Sequence, residues 1–393
     1  MSLSQVAYVI VTPYSLYKSR TGGVLSRLIS RTGLDLCAIR MFAPSLELAK
    51  EYGDNIISAH DPQDRKIQEL LKDYILHNFI PDPKTGRRRR VLMMLFRGDE
   101  AVRKVRSVVG NLSPDRRSGE TIRGTYGDLI LDDDTGQVRY FEPAVLASPN
   151  NEEAETKLKL WARYSDQDGG VLENVTTYPQ GDVPERTLVL IKPDNFRFAT
   201  GRPGNVIDFF SRTGLYIVGA KVLNMSTNQA AEFYGPVREF LRTRLNGTIA
   251  ARAKEKLEEE LKFKIPPTVE KALGDALGPV FGDNQFENIV RFMSGHAPSE
   301  CNSEAELQKP GTEKCIALVY EGVNAVRKIR DVLGPTDPSK APPGSIRREF
   351  GSTIMVNAAH ASDSVENAQR ELKIVNVGEN NFKQVIEEAY GKL

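Results

Sequence analysis

Cysteine is scarce in this chain, with three in 393 residues: Cys37, Cys301 and Cys315. An odd count without Cys-x-x-Cys spacing excludes a disulfide framework and a cysteine-built zinc site. Surplus charge is missing too, because 53 Lys and Arg stand against 52 Asp and Glu. A formal net charge of +1 exerts no global pull on nucleic acid or an acidic membrane, so such binding would need a local patch. No stretch approaches the ~20 apolar residues that span a bilayer, and Met1 to Arg20 lacks the basic-then-apolar order of a signal peptide. A cytoplasmic protein with no membrane partner is expected. Also absent are a Gly-x-x-x-x-Gly-Lys-Ser/Thr phosphate loop, a GxGxxG turn, an HExxH helix and a GxSxG elbow.

What is present is enough apolar residue, 40% of the chain, for two or three domains with their own cores. A repeat organises them. Ser30-Arg-Thr-Gly-Leu34 recurs as Ser211-Arg-Thr-Gly-Leu215, and Ala101-Val-Arg-Lys-Val-Arg106 as Ala325-Val-Arg-Lys-Ile-Arg330. Gly110 and Arg123 align with Gly334 and Arg347, and Ala147-Ser148 with Ala361-Ser362. One fold used twice is expected, with copies at 1–164 and 185–393 and a Gly/Pro-rich linker at 165–184.

In the second copy, short β-rich runs predict strands at Arg186–Ile191, Leu215–Leu223, Lys314–Tyr320 and Thr353–Asn357. Helices are expected around Val206–Phe210, Asn228–Arg242, Val323–Leu333 and Val365–Leu372. The alternation reads as α/β or α+β, and periodicity leaves strand direction open. Each copy holds an insert. Asp61 to Arg90 has a helical pattern at Ile67–Leu76 and then Arg87-Arg-Arg-Arg90; roughly 235–284 contains a Glu/Lys-rich helix at Ala250–Lys264. The four arginines read as a solvated flank of a strand in preference to a grip on nucleic-acid phosphates.

The chemistry-bearing residues gather in Asn357-Ala-Ala-His360-Ala-Ser-Asp-Ser364 and the helix after it. That helix returns Glu371 towards His360, with Ser362 close by, an arrangement that supports a nucleophilic or acid/base imidazole. A histidine in such a loop is, by itself, more often structural.

Together with Val189-Leu-Ile-Lys192-Pro-Asp194, Arg330-Asp-Val-Leu-Gly-Pro-Thr336-Asp-Pro338 and Pro343-Gly-Ser-Ile-Arg347, this block resembles the signature of nucleoside diphosphate kinases in order and spacing. The resemblance covers Glu185 to about Leu372 apart from the insert. It implies an α+β chain of two tandem ferredoxin-like (βαββαβ) domains. Each would have a four-stranded antiparallel sheet flanked by helices, with helical inserts added. It further implies ping-pong transfer of a γ-phosphoryl group from ATP or another nucleoside triphosphate to a nucleoside diphosphate, through phospho-His360. Ser362 and Glu371 would orient the imidazole. Lys192, Arg330, Arg347, Thr336 and Asn357 would hold phosphates and sugar, and Mg²⁺ would arrive on the nucleotide. Tyr234 matches the tyrosine near the lysine. Phe286 matches the base-stacking aromatic, and reads equally as a core residue.

The sequence departs from the family at three places. Ala361 replaces the usual Gly beside the histidine, which is expected to crowd the phosphate or alter the turn; Arg348-Glu349 replaces Gly-Asp; and the long insert separates Tyr234 from Phe286. In the first copy Thr12 replaces Lys192, Leu146 His360, Pro143 Asn357, Leu112 Thr336 and Lys157 Glu371, leaving only Arg106 and Arg123 of the phosphate set. That copy is expected to be catalytically dead and kept for oligomer geometry, three chains giving a pseudo-hexamer. The alternative is a nucleotide-binding regulator or scaffold with little or no turnover.

Overall fold

A computed structural model of the chain describes residues 5–112 and 118–393. The first copy runs β1 (Gln5–Val11), α1 (Pro13–Tyr17), α2 (Thr21–Thr32), β2 (Asp35–Phe42), α3 (Leu46–Asp54), α4 (Arg65–Asn78) and β3 (Val91–Gly98). It continues with α5 (Ala101–Val109), α6 (Ile122–Tyr126), the hairpin β4 (Asp128–Leu131) and β5 (Val138–Glu142), β6 (Val145–Ala147) and α7 (Asn151–Asp168). The second copy opens with β7 (Glu185–Ile191), α8 (Arg202–Phe210) and β8 (Tyr216–Leu223). A helical segment follows: α9 (Thr227–Arg244), α10 (Asn246–Leu261), α11 (Pro267–Ser294) and α12 (Glu304–Gln308). The copy then closes with β9 (Cys315–Gly322), α13 (Ala325–Leu333), α14 (Ile346–Phe350), β10 (Ala359–Ala361), α15 (Val365–Val375) and α16 (Asn381–Tyr390).

Each copy forms a four-stranded sheet, ordered β2-β3-β1-β6 and β10-β7-β9-β8. In both, the first strand lies between the third and the fourth and pairs with each antiparallel. This is the ferredoxin-like order, and it settles the strand direction. Along β1 the side chains alternate between two apolar clusters, Ala7, Val9 and Val11 on one face and Val6, Tyr8 and Ile10 on the other. The first cluster runs unbroken into Val189, Ile191, Ile316 and Leu318 of the second copy, so the two copies share a core.

Contacts group the chain into two compact units, Met1–Leu223 with Ile316–Leu393, and Asn224–Cys315. Within the first unit the copies meet through equivalent elements, β2 beside β8 and α2 against α8, as an isologous pair would. The helices cross so closely that a Cβ on Gly22 would fall 2.1 Å from the Gly204 carbonyl, and one on Gly204 2.1 Å from that of Gly22. The repeated Ser-Arg-Thr-Gly-Leu ends both helices: Gly33 (φ 62°) and Gly214 (φ 68°) take the left-handed cap. Leu34 and Leu215 then pack against Gly98 and Gly322. The C-terminal helix α16 belongs in sequence to the second copy but docks on the first. Phe382 lies edge-on to Phe42 at 5.3 Å, and the Tyr390 hydroxyl donates to the Val6 carbonyl at 3.0 Å.

The second unit is helical. Ser226 and Gln229 form a reciprocal capping box at the start of α9. Gly274, Gly278 and Gly282 let α11 lie against Ala250, Asn246 and the Arg242 backbone.

Four expectations need correction. The fourth strand is Ala359–Ala361, not Thr353–Asn357, because Asn357 spends its side chain on the carbonyls of Thr336 and Ile354 and Ala358 turns the chain at φ 69°. Helix α7 continues past Tyr164 to Asp168, whose buried carboxylate accepts from the Ser45 amide and pairs with Arg88. The hairpin β4–β5 in the first copy was not foreseen. Arg87 to Arg90 are half-buried instead of solvated: Arg88 meets Asp168, Arg89 the His77 carbonyl, and Arg90 the Ile217 carbonyl of the second copy. Among the described residues, no helix is long and apolar enough to cross a membrane.

Candidate active site

The site is built where β10 meets β7. Register places His360 opposite Leu190, two residues before Lys192. The turn before β10 sits in left-handed backbone at Ala358, a conformation costing a non-glycine about 1 kcal/mol. Three hydrogen bonds hold it: the Lys192 amide (3.0 Å) and Asn195 Nδ2 (2.7 Å) donate to its carbonyl, and its amide donates to Asp194 Oδ2 (3.3 Å). Arg202 in turn fixes Asp194 and Asn195 at 2.9 and 3.0 Å. The roles of Asn195 and Arg202 were missed in the sequence; the Lys-Pro-Asp-Asn run straight after a strand was the available signal.

Two side-chain constellations result. In the first, Glu371 Oε2 lies 3.0 Å from His360 Nε2 and accepts from Ser362 Oγ at 2.6 Å. Ser364 caps α15 by accepting from the Asn367 amide, and two turns on the helix brings Glu371 back, 5% exposed, beneath the imidazole. A carboxylate on Nε2 fixes that nitrogen as the N–H, so the lone pair belongs to Nδ1. In the second, Lys192, 7% exposed, donates to Asn357 Oδ1 at 2.9 Å and to the Met355 carbonyl, and Asn357 Nδ2 reaches the Thr336 carbonyl at 3.1 Å. Arg330, in the last turn of α13, and Thr336 are exposed. Arg347 spans two carbonyls, Gly334 at 3.0 Å and Ala359 at 3.2 Å, tying the loop after α13 to β10. Ala361 pairs in register with Val189 and lies outside the left-handed region, so the methyl that replaces a glycine hydrogen does not alter the turn.

The structure thus brings together Lys192, Thr336, Arg347, Asn357, His360, Ser362 and Glu371. Tyr234 and Phe286 lie in the helical unit. There Tyr234 sits beside Phe233, ring centroids 5.0 Å apart, and Phe286 is 5% exposed with the Arg238 guanidinium 5.4 Å over its ring.

The first copy keeps the backbone and changes the side chains. Ala144 (φ 60°) repeats Ala358, Glu100 (φ 53°) repeats Asn324 (φ 56°), and Gly110 and Gly334 share φ 82°. Leu146 opposes Ile10 in the register of His360, but is 2% exposed within a cluster holding Tyr52, Leu112 and Trp161. Where Lys192 would be, Thr12 donates to Glu142 at 2.9 Å, and Tyr74 donates to the other Glu142 oxygen at 2.7 Å. Burial pushes the Glu142 carboxyl up from its ordinary value. Lys157 turns to Glu153, one helical turn earlier. His60 and His77 are exposed and far in sequence from the equivalent position.

Comparison with known proteins shows the family. The nucleoside diphosphate kinase family model matches residues 5–166, 185–241 and 306–379, in both copies and on either side of the helical insert. The nucleoside diphosphate kinases of Nitratiruptor sp. and Wolinella succinogenes are 31% and 32% identical to the chain, each over 48% of it and 92% of their own length. That of Saccharolobus solfataricus is 31% identical over 49% of the chain and 94% of its own length. The crystal structure of an NDP kinase from Pyrobaculum aerophilum is 28% identical over 49% of the chain and 95% of its own, with a TM-score of 0.33. With most of its length matched by one model, the chain belongs to the nucleoside diphosphate kinase family.

Proposed function

We propose that the second copy transfers the γ-phosphoryl group of a nucleoside triphosphate to a nucleoside diphosphate by a ping-pong route through phospho-His360. The observation that carries this reading is the His360–Glu371–Ser362 constellation. It leaves the nucleophilic lone pair on Nδ1 and a buried carboxylate on Nε2 to stabilise the imidazolium that forms.

In the first half-reaction Nδ1 attacks the γ-phosphorus, the N–P bond forms as the bond to the β–γ bridging oxygen breaks, and the diphosphate leaves. In the second, a terminal phosphate oxygen of the acceptor takes the group and His360 returns to neutral imidazole. Such transfer depends on positioning and charge neutralisation. Lys192, Arg330 and Arg347 supply charge, and Asn357 and Thr336 supply neutral donors. Mg²⁺ is proposed to enter as part of the nucleotide. Tyr234 and Phe286 are proposed to contact the nucleoside. The first copy, with leucine in place of the histidine, is proposed as the inactive half of a covalent pair, three of which form a pseudo-hexamer in the cytoplasm; a monodisperse monomer by light scattering refutes that assembly.

Incubation with γ-labelled ATP tests the chemistry. Acid-labile, base-stable label that is absent from His360→Ala and passes to added GDP is the expected result. A chain that binds nucleotide and never takes label is instead a regulator. Glu371→Gln removes the carboxylate while leaving the phosphate contacts, so kcat falls by about 10²-fold with KM little changed.

A further inference from the structure

Away from His360, two cavities open side by side at the junction of the copies, and Leu16 and Arg90 line both. The first, of about 190 Å³, is lined by Asp208, Tyr216 and Tyr320 of the second copy and by Tyr17, Ser19 and Thr21 of the first. Among the described residues Tyr320 Oη is buried there without a hydrogen-bond partner, and Asp208 keeps one oxygen, Oδ1, unpaired although its carboxylate faces the Gly22 and Gly23 amides at the start of α2. The Tyr320 side chain is 2% exposed, and a buried hydroxyl left unpaired is unfavourable. Such groups persist where something else satisfies them. The second cavity, of about 320 Å³, is lined by all four of Arg87 to Arg90, by Pro13 and Val175, and by Thr85 and the carboxylate of Asp82, so the arginines face one negative charge within it.

The arginines carry more charge than their partners cancel. Arg88 pairs with Asp168 at 2.9 Å and Arg89 lies 4.0 Å from Asp82. Arg90 is stacked 5.0 Å over the Tyr216 ring and donates to the Ile217 carbonyl, and burial pulls its guanidinium down from the ordinary value. No acceptor for the Arg87 guanidinium is found among the described residues.

We propose that this double cavity is a second nucleotide site, distinct from the one at His360: the phosphate chain of a nucleoside polyphosphate lies on Arg87 to Arg90, and its base enters beside Tyr216 to meet Asp208 and Tyr320. Arg90 is the shared wall, suited to the α-phosphate. A carboxylate next to a phenol presents an acceptor beside a donor, the complement of a base edge with ring N–H and carbonyl groups, as in guanine. Basic residues confined to the short run Arg87 to Arg90 suit the few phosphates of a single nucleotide better than a nucleic-acid strand, which needs a long basic stripe. Because the walls come from both copies and Arg90 already bonds across the junction, occupancy would stiffen the shared core beneath the catalytic sheet.

Calorimetric titration of the full chain with GDP and with inorganic tripolyphosphate tests this. Two GDP bind per wild-type chain. Arg87→Gln/Arg89→Gln removes one GDP and one tripolyphosphate, and keeps the site at His360, which shows that the variant is folded. Lys192→Gln/Arg330→Gln weakens the other site only. Asp208→Asn weakens GDP at the junction by about tenfold and leaves tripolyphosphate unchanged. A single GDP per wild-type chain, lost in Lys192→Gln/Arg330→Gln, overturns the proposal, as does an oligonucleotide that binds through Arg87 and Arg89 where GDP does not. These readouts are equilibrium stoichiometries, so they stand or fall separately from phosphorylation of His360.

Discussion

Arg123 and Arg347 grip the same two carbonyls, one pair in each copy. Arg123 reaches Gly110 at 3.1 Å and Val145 at 3.2 Å; Arg347 reaches Gly334 at 3.0 Å and Ala359 at 3.2 Å. In the first copy the arginine has lost its histidine and lysine and kept its bonds. It does so although burial, then the charge of Arg106, pushes its guanidinium down to about 10. An arginine kept in the copy without the histidine is therefore a brace, and its counterpart braces too.

Arg123→Gln is expected to lower stability by about 3 kcal/mol and leave turnover intact. Arg347→Gln should lower stability by a similar amount and also impair transfer. Urea unfolding beside steady-state kinetics separates the two roles: an Arg347→Gln chain as stable as wild type would limit that residue to phosphate.

Restoring the histidine alone will not revive the first copy. Leu146→His places an imidazole among Tyr52, Leu112 and Trp161 with Thr12 and Glu142 occupying the lysine position. The expected outcome is a loss of about 2–4 kcal/mol and no label from γ-labelled ATP when combined with His360→Ala. Label on that double variant would show that the first copy still admits nucleotide.

The C-terminal helix holds the first copy, not the copy it follows. Phe382→Ala opens a cavity against Phe42 and should cost about 3–5 kcal/mol. Limited proteolysis of that variant should cut first within 1–164; cleavage beginning in 185–393 would contradict the docking seen here.

Asp208 links stability to pH. Burial raises its carboxyl to about 6 from 3.8, while the Gly22 and Gly23 amides at the start of α2 oppose the rise; Tyr320 faces it from β9 and Arg90 lines the same cavity. The folded chain therefore binds this proton more tightly than the unfolded chain. The stability it contributes is complete below about pH 4 and is lost as pH rises through about 6. Melting temperatures of wild type minus Asp208→Asn should fall across that window, and a flat difference would remove Asp208 as the cause.

How much of this was legible beforehand depended on range. The repeat, five helices and three strands of the second copy showed in local patterns, whereas α11, α12, α14 and α16 did not; the Ser-Arg-Thr-Gly-Leu repeat is a helix stop with its own physical cause in a left-handed glycine. The fourth strand was displaced because Thr353-Ile-Met-Val has strand-like composition, while the position of the strand is fixed by a distant event, the docking of Asn357 on Thr336. Arg87 to Arg90 looked like a solvated run, since nothing near them in sequence reveals that Asp168 and Ile217 come to meet them.

By itself, then, the sequence determined the duplication, the family and the list of polar residues at His360, because these are carried by residue identity at fixed local spacing. Tertiary structure alone decided that Glu371 lies on Nε2 and that the two copies share one core. It also decided that α16 crosses to the first copy and that Asp208, Tyr320 and four arginines border adjoining cavities. Each of these joins segments that only burial of a common apolar face brings within hydrogen-bond range.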